Sequence, residues 1–200
     1  GSRFTLQAPE GSFDVVLGVP GEHNAANATA AWTTAVWLGA EPAKAAQALA
    51  DFAGTGRRFE KRGTAAGVRV VDDYAHHPTE VQAVLRTARA VAADGRVIVL
   101  FQPHLFSRTK AFAAEFAAAL SLADKVIVTD IYAAREDSDP AVTSKLITQR
   151  LPGAVYVANR IDAAYTVAGL AAPGDLILTV GAGDVTELGD VILARLREIE

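Results

Sequence analysis

The 200-residue sequence predicts an α/β fold, a doubly wound domain on a mostly parallel sheet. Three observations carry that expectation. After Gly54-Thr55-Gly56, strand-length apolar runs alternate with helix-length amphipathic segments. Arg96–Phe101 is almost continuously apolar, as a parallel strand covered on both faces must be. Polar clusters recur directly behind the strand runs, at the carboxyl ends where an open α/β sheet handles ligands.

Taken in order, Arg3–Leu6 and Val15–Val19 alternate weakly around Pro9-Glu10-Gly11-Ser12 and predict a hairpin. An Ala-rich helix over Ala25–Leu38 places Ala28, Ala31, Trp32, Ala35 and Leu38 at helical spacing and is stopped by Gly39. A second helix over Pro42–Phe52 presents Ala45, Ala46, Leu49 and Phe52 on one side. A hairpin and a helix pair are too little for an independent core. Residues 1–53 are therefore expected to be the tail of a larger domain, and residues 54–200 the doubly wound one.

Beyond the linker, strands are expected at Arg58–Arg62 and Val68–Val71 around the break Gly63–Gly67. Helix Pro78–Ala93 turns Val81, Val84, Leu85, Ala88 and Val91 inward, with Pro78 in the first turn, where its missing N–H costs nothing. Strand Arg96–Phe101, helix Thr109–Leu122 (Phe112, Phe116, Leu120 on one face) and strand Lys125–Asp130 follow. An irregular Ile131–Pro140, a helix near Thr143–Arg150, strand Ala154–Val157, helix Ile161–Ala171, strand Asp175–Val180 and helix Val185–Ile199 complete the series. Parallel strands need such crossovers.

Composition narrows the class. A net charge of −4 offers no basic footprint for nucleic acid or an anionic membrane. The absence of cysteine excludes disulfides and thiolate chemistry and fits a reducing compartment. No apolar run approaches the roughly 18–20 residues that span a bilayer, so a soluble cytoplasmic protein is expected.

The richest cluster is Asp72-Asp73-Tyr74-Ala75-His76-His77-Pro78, two carboxylates, a phenol and two imidazoles between a strand and a helix. Comparable crests are Gln102–Thr109, Asp130–Glu136 and Gly181–Asp184. In a parallel sheet they share one edge, so His76, His104, Arg108 and Asp184 are expected to converge. A metal site is not expected: adjacent histidines diverge, and no zinc-type spacing accompanies them. Gly181-Ala182-Gly183 lacks the third glycine and acidic partner of a dinucleotide loop, and no Gly-x-x-x-x-Gly-Lys-[Ser/Thr] phosphate loop occurs.

Gly21-Glu22-His23-Asn24-x-x-Asn27, Gly56-Arg57-Arg58-Phe59-Glu60, Asp72–Glu80, Phe101-Gln102-Pro103-His104-x-x-Ser107-Arg108-Thr109 and Gly181–Asp184 together resemble the Mur ligases, in order and spacing from about residue 15 onward. The double histidine and the Gln-Pro-His block resemble the alanine-adding branch. A folate-type glutamate ligase fits them less well, and a stand-alone nucleotide-binding module is the reading from another class. The resemblance implies a Rossmann-like domain preceded by a small fragment of the central ATPase domain, together the last two-fifths of such an enzyme. It implies peptidoglycan precursor synthesis, in which ATP with Mg²⁺ activates UDP-N-acetylmuramate as an acyl phosphate and the amine of L-alanine attacks. By resemblance, Asn27 meets the adenine edge, Asp73 the ribose region and Arg58 the nucleotide phosphates, while Arg108 holds the alanine carboxylate. Tyr74, His76 and His104 then line the alanine pocket. Many relatives carry arginine where this chain has Leu105, which rests the carboxylate clamp on Arg108. Without a phosphate loop, the fragment alone is expected to be inactive.

Overall fold

Successive strand side chains point to opposite faces, and in the run 97–101 both sets are apolar. Val97, Val99 and Phe101 enter one buried cluster, and Ile98 and Leu100 enter another. Such a sheet must be covered on both sides. The computed structural model, which describes residues 1–199, shows it so covered.

The chain forms two compact units, Gly1–Gly56 and one that begins at Arg57. The first holds an antiparallel hairpin, β1 (Ser2–Ala8) and β2 (Gly11–Leu17), then α1 (Glu22–Trp37) and α2 (Pro42–Ala48). Its core gathers Leu6, Val15, Leu17, Val19, Ala28, Trp32 and Ala46. The Trp32 indole N–H donates to the Pro42 carbonyl at 3.0 Å, tying the helices together.

The second unit contains β3 (Glu60–Ala65), β4 (Val68–Asp73), α3 (Pro78–Ala92), β5 (Val97–Phe101), α4 (Phe106–Ala111), α5 (Ala113–Leu120) and β6 (Lys125–Val128). It continues with α6 (Lys145–Thr148), β7 (Val155–Tyr156), α7 (Arg160–Leu170), β8 (Leu176–Val180) and α8 (Leu188–Glu198). The strands form one six-stranded sheet in the order β3-β4-β8-β5-β6-β7, antiparallel between β3 and β4 and parallel elsewhere. Residues of α3, α5 and α6 pack into the first cluster, and those of α7 and α8 into the second. The chain thus changes face when it reverses from β7 to insert β8 between β4 and β5, which is double winding. Leu85, Phe116 and Leu120 are fully buried, each worth roughly 1.5–3 kcal/mol. At the amino ends of the strands, Asp175 accepts from Arg96 and from the Ala172 N–H, and Asp124 from Arg89 and the Val97 N–H.

Several sequence expectations need correction. Arg58 lies outside β3, in a tight turn where Arg57 and Phe59 take φ of 58° and 49°. Asp72 and Asp73 belong to β4, paired with Thr179 and Val180, rather than to the polar crest. The expected helix Thr109–Leu122 starts earlier and is broken: Phe112 leaves the helical well at φ −121°, and its ring meets His77 edge-on at 5.2 Å. Only Lys145–Thr148 is regular helix near residue 145, and β7 is shorter than expected. A short 3₁₀ turn, Asp184–Glu187, precedes α8, and another, Leu49–Asp51, follows α2. On α1, Ala31 is exposed and Leu38, beyond its end, is 73% exposed, so the buried stripe reduces to Ala28 and Trp32.

That difference in burial has a measurable consequence. Amides before Gly54 are expected to exchange faster with deuterium than those of Val97–Phe101 and Lys125–Val128, because a small core leaves local opening cheap. Equal or reversed protection would contradict it.

Candidate functional site

The site is assembled from the carboxyl ends of β4, β5 and β8, and each end is fixed by its own bonds. At β4, both oxygens of the buried Asp73 accept backbone N–H groups, from Phe59 and Ala75, each at 2.8 Å. Tyr74 N–H donates to the Arg57 carbonyl at 2.8 Å. These bonds shape the turn that presents Tyr74 and His76.

His77 and His76 then part. His77 caps α3: its Nδ1 accepts from the Thr79 N–H at 3.4 Å, and Glu80 reaches back to the His77 N–H at 3.1 Å, a capping box. Glu80 also accepts the His76 N–H at 2.9 Å. Burial pushes the Glu80 carboxyl up, but these N–H bonds and the charges of His76 and Arg58 outweigh it and hold the group below its ordinary value.

At β5, the backbone of Pro103-His104-Leu105 makes a parallel bridge to Tyr132: Tyr132 N–H donates to the Pro103 carbonyl at 2.9 Å and Leu105 N–H to the Tyr132 carbonyl at 3.0 Å. Leu105 is buried with φ 73°, a strained setting for a residue with a Cβ, just before α4 carries Arg108. Glu136 accepts from both the N–H and the hydroxyl of Ser107, anchoring the start of α4. The Ser107 hydroxyl holds the Glu136 carboxyl below its usual range.

The side chains so positioned converge. The His76 and His104 rings stand edge to face at 5.7 Å, Tyr74 meets His76 at 5.2 Å, and Tyr132 stacks on His104 at 5.9 Å. One Arg108 Nη donates to His104 Nδ1 at 3.3 Å and to the His76 carbonyl at 3.4 Å, both long bonds. Burial first, then the Arg108 and His76 charges, depress the His104 pKa, so this ring is neutral at neutral pH and Nδ1 is an acceptor. The result is a half-buried arginine held loosely among aromatic rings, an arrangement suited to a planar anion.

Asp184, expected to converge with the histidines, is engaged elsewhere: it accepts from Gln102 Nε2 at 2.7 Å and lies 3.5 Å from Arg160. Asn27 is exposed on α1 in the first unit. Arg58 is exposed, with its guanidinium 5.7 Å from the Tyr74 ring centre.

The residue that sequence reasoning missed is Arg57. Its Nε pairs with the fully buried Asp72 at 3.2 Å, and one Nη donates to the carbonyls of Gly181 (2.6 Å) and Gly183 (3.2 Å). Its guanidinium also lies 4.7 Å from the Tyr74 ring centre. Asp72 further accepts the Thr179 and Thr186 hydroxyls at 2.6 and 2.8 Å. One arginine thus binds the ends of β4 and β8 into a single edge. Gly183 is required there, since a Cβ would lie 2.4 Å from Gln102 Oε1 and 2.5 Å from the Tyr132 ring. No group of three or more His, Cys, Asp or Glu among the described residues is placed to hold a metal ion.

An arginine and imidazoles gathered at the carboxyl ends of the strands define a doubly wound α/β domain with a polar edge where such sheets bind ligands. The comparisons give the family. A family model described as "Mur ligase, glutamate ligase domain" matches residues 57–183, and the chain belongs to the Mur ligase family. It is 59% identical over 186 residues to the UDP-N-acetylmuramate–L-alanine ligase of Kineococcus radiotolerans, covering 91% of this chain and 40% of that protein. To the ligase of the same name from Saccharopolyspora erythraea it is 55% identical over 196 residues, covering 96% and 40%. Among solved structures, the UDP-N-acetylmuramate-alanine ligase from Thermotoga maritima matches with a TM-score of 0.77 and 30% identity, covering 94% of this chain and 40% of that one. The chain spans about 40% of the length of these relatives.

Proposed function

We propose that the chain is the amino-acid-handling part of an ATP-dependent ligase that joins L-alanine to UDP-N-acetylmuramate in peptidoglycan precursor synthesis in the cytoplasm. The observation that carries this reading is Arg108, half-buried, whose guanidinium is bonded among the described residues by long contacts to His104 and His76. A guanidinium so placed offers its free donors to the two oxygens of an α-carboxylate. Tyr74, His76 and His104 stand in edge contact beside Arg108 and are assigned to the alanine pocket.

Residues 1–53 are then the end of the central ATP-binding domain, and the domain beyond is the C-terminal Rossmann-like one. Asn27, Arg58 and Asp73 are assigned to the nucleotide, at the adenine edge, the phosphates and the ribose region. ATP is accompanied by Mg²⁺, whose ligands belong mainly to parts of the enzyme outside this chain. UDP-N-acetylmuramate likewise depends on those parts. Phosphoryl transfer rests on positioning and charge neutralisation, and the sequence contains no phosphate loop to supply them.

The test follows from that division. The full-length enzyme, given ATP, UDP-N-acetylmuramate and L-alanine, is expected to release phosphate and form the alanyl product, whereas the 200-residue chain alone releases none. Alanine-dependent phosphate release that scales with the concentration of the purified chain would overturn the division of labour. A full-length enzyme that does not use alanine would overturn the assignment.

A further inference from the structure

The arginine clamp leaves one chemical problem open. An α-amino acid arrives as the ammonium form, and its nitrogen must lose a proton before it can attack a carbonyl carbon. We infer that His76 Nε2 is the base that takes this proton, an inference that rests on the ligase reading above.

The geometry fixes the tautomer. His76 Nδ1 lies 3.0 Å from the Tyr74 carbonyl, which can only accept, and 3.3 Å from a Glu80 oxygen, which is ionised because its pKa is depressed. Both neighbours demand a proton on Nδ1, so in the neutral ring Nε2 carries the lone pair. Glu80 is itself immobilised by the His76 and His77 N–H groups, so the ring is oriented by a carboxylate that cannot swing away. Such a base with an orienting acceptor behind it is the arrangement of general-base histidines.

The position is also right. In an α-amino acid the nitrogen is two bonds from the carboxylate carbon, so the base must stand beside the carboxylate clamp. The His76 carbonyl lies 3.4 Å from an Arg108 Nη, and the His76 ring faces His104, whose Nδ1 lies 3.3 Å from that same Nη. His104 is a poorer candidate, because its Nδ1 accepts from Arg108 and burial beside the Arg108 charge opposes its protonation. His77 is committed to the helix cap.

The step balances. One ammonium proton passes to Nε2, giving imidazolium. The neutral nitrogen attacks the acyl phosphate carbonyl and forms the C–N bond. The C–O bond to phosphate breaks with its electron pair leaving on phosphate, which takes the second proton from the adduct. His76 then returns its proton to water.

The test uses the full-length enzyme and His76→Asn. The asparagine amide keeps a donor near the position of Nδ1 and removes Nε2. Alanine turnover is expected to fall about a hundredfold or more. Hydroxylamine, a nucleophile already neutral at neutral pH, replaces alanine in a parallel assay of hydroxamate formation. The variant is expected to lose at least ten times less hydroxamate formation than alanine turnover, because that nucleophile needs no base. An alanine rate within a few-fold of wild type overturns the inference, and so does an equal loss in both assays, which marks a structural role. ¹⁵N NMR of the 200-residue chain reads the tautomer without turnover, and a proton on His76 Nε2 in the neutral ring also overturns it. Hydroxamate formation by a wild-type enzyme that does not use alanine defeats the alanine reading itself, and the inference with it.

Discussion

Arg108→Lys in the full-length enzyme is expected to lower kcat/KM for L-alanine about ten- to a hundredfold while KM for ATP stays nearly constant. Lysine keeps the charge and loses the planar two-point grip on a carboxylate. A charge-assisted pair of this kind contributes roughly 1.5–3 kcal/mol, which converts to that range. The long bonds from Arg108 to His104 and the His76 carbonyl give up little when the guanidinium turns to a ligand, so the effect should appear in alanine use rather than in folding. Initial rates with each substrate varied in turn decide the matter. If KM for ATP rises and alanine use is spared, Arg108 belongs to the nucleotide.

Arg57→Ala is expected to destabilise the second unit by about 2–3 kcal/mol in equilibrium urea unfolding. Removing one partner of a fully buried pair costs about 3–5 kcal/mol, because the other charge is left behind. The smaller figure reflects Arg57, whose side chain is 26% exposed, and the Thr179 and Thr186 hydroxyls that still bond Asp72. The carbonyls of Gly181 and Gly183 lose their donor as well. Adding Asp72→Asn should recover part of the loss, since the uncompensated charge disappears with it. A change within about 0.5 kcal/mol, ordinary for a surface position, would show that the arginine is not what joins the two strand ends.

The double-wound sheet was legible because the information is local and repeated. Val97–Phe101 is apolar at every position and Leu176–Val180 at all but Thr179, and a period-3.6 stripe marks α3 from Val81 to Ala88. The convergence of His76, His104 and Arg108 was legible for a different reason, since parallel strands put all their carboxyl ends on one edge, but the same rule misplaced Asp184, which Gln102 and Arg160 engage instead. Arg57 was hidden because its partners are far away in sequence. Asp72, Gly181 and Gly183 are placed beside it only by the insertion of β8 next to β4. The break at Phe112 was equally hidden, since no glycine or proline marks it and the ring it meets, His77, comes from the start of α3. Side-chain partners chosen by tertiary structure leave no local trace.

The outer strands of the sheet also bear on how the protein behaves among its neighbours. An open sheet exposes unpaired N–H and C=O groups at its borders, and these can recruit a strand from another molecule. Here β7 contains only Val155 and Tyr156, too short to template a foreign strand. On the far side β3 is interrupted by an irregularity between Lys61 and Gly63, and Glu60, Lys61 and Arg62 charge it. The parallel strands between them, among the most apolar stretches of the chain, are sealed by α3, α5, α7 and α8. The domain therefore keeps its most aggregation-prone segments in its middle and ends its sheet, at either border, in a strand that discourages growth.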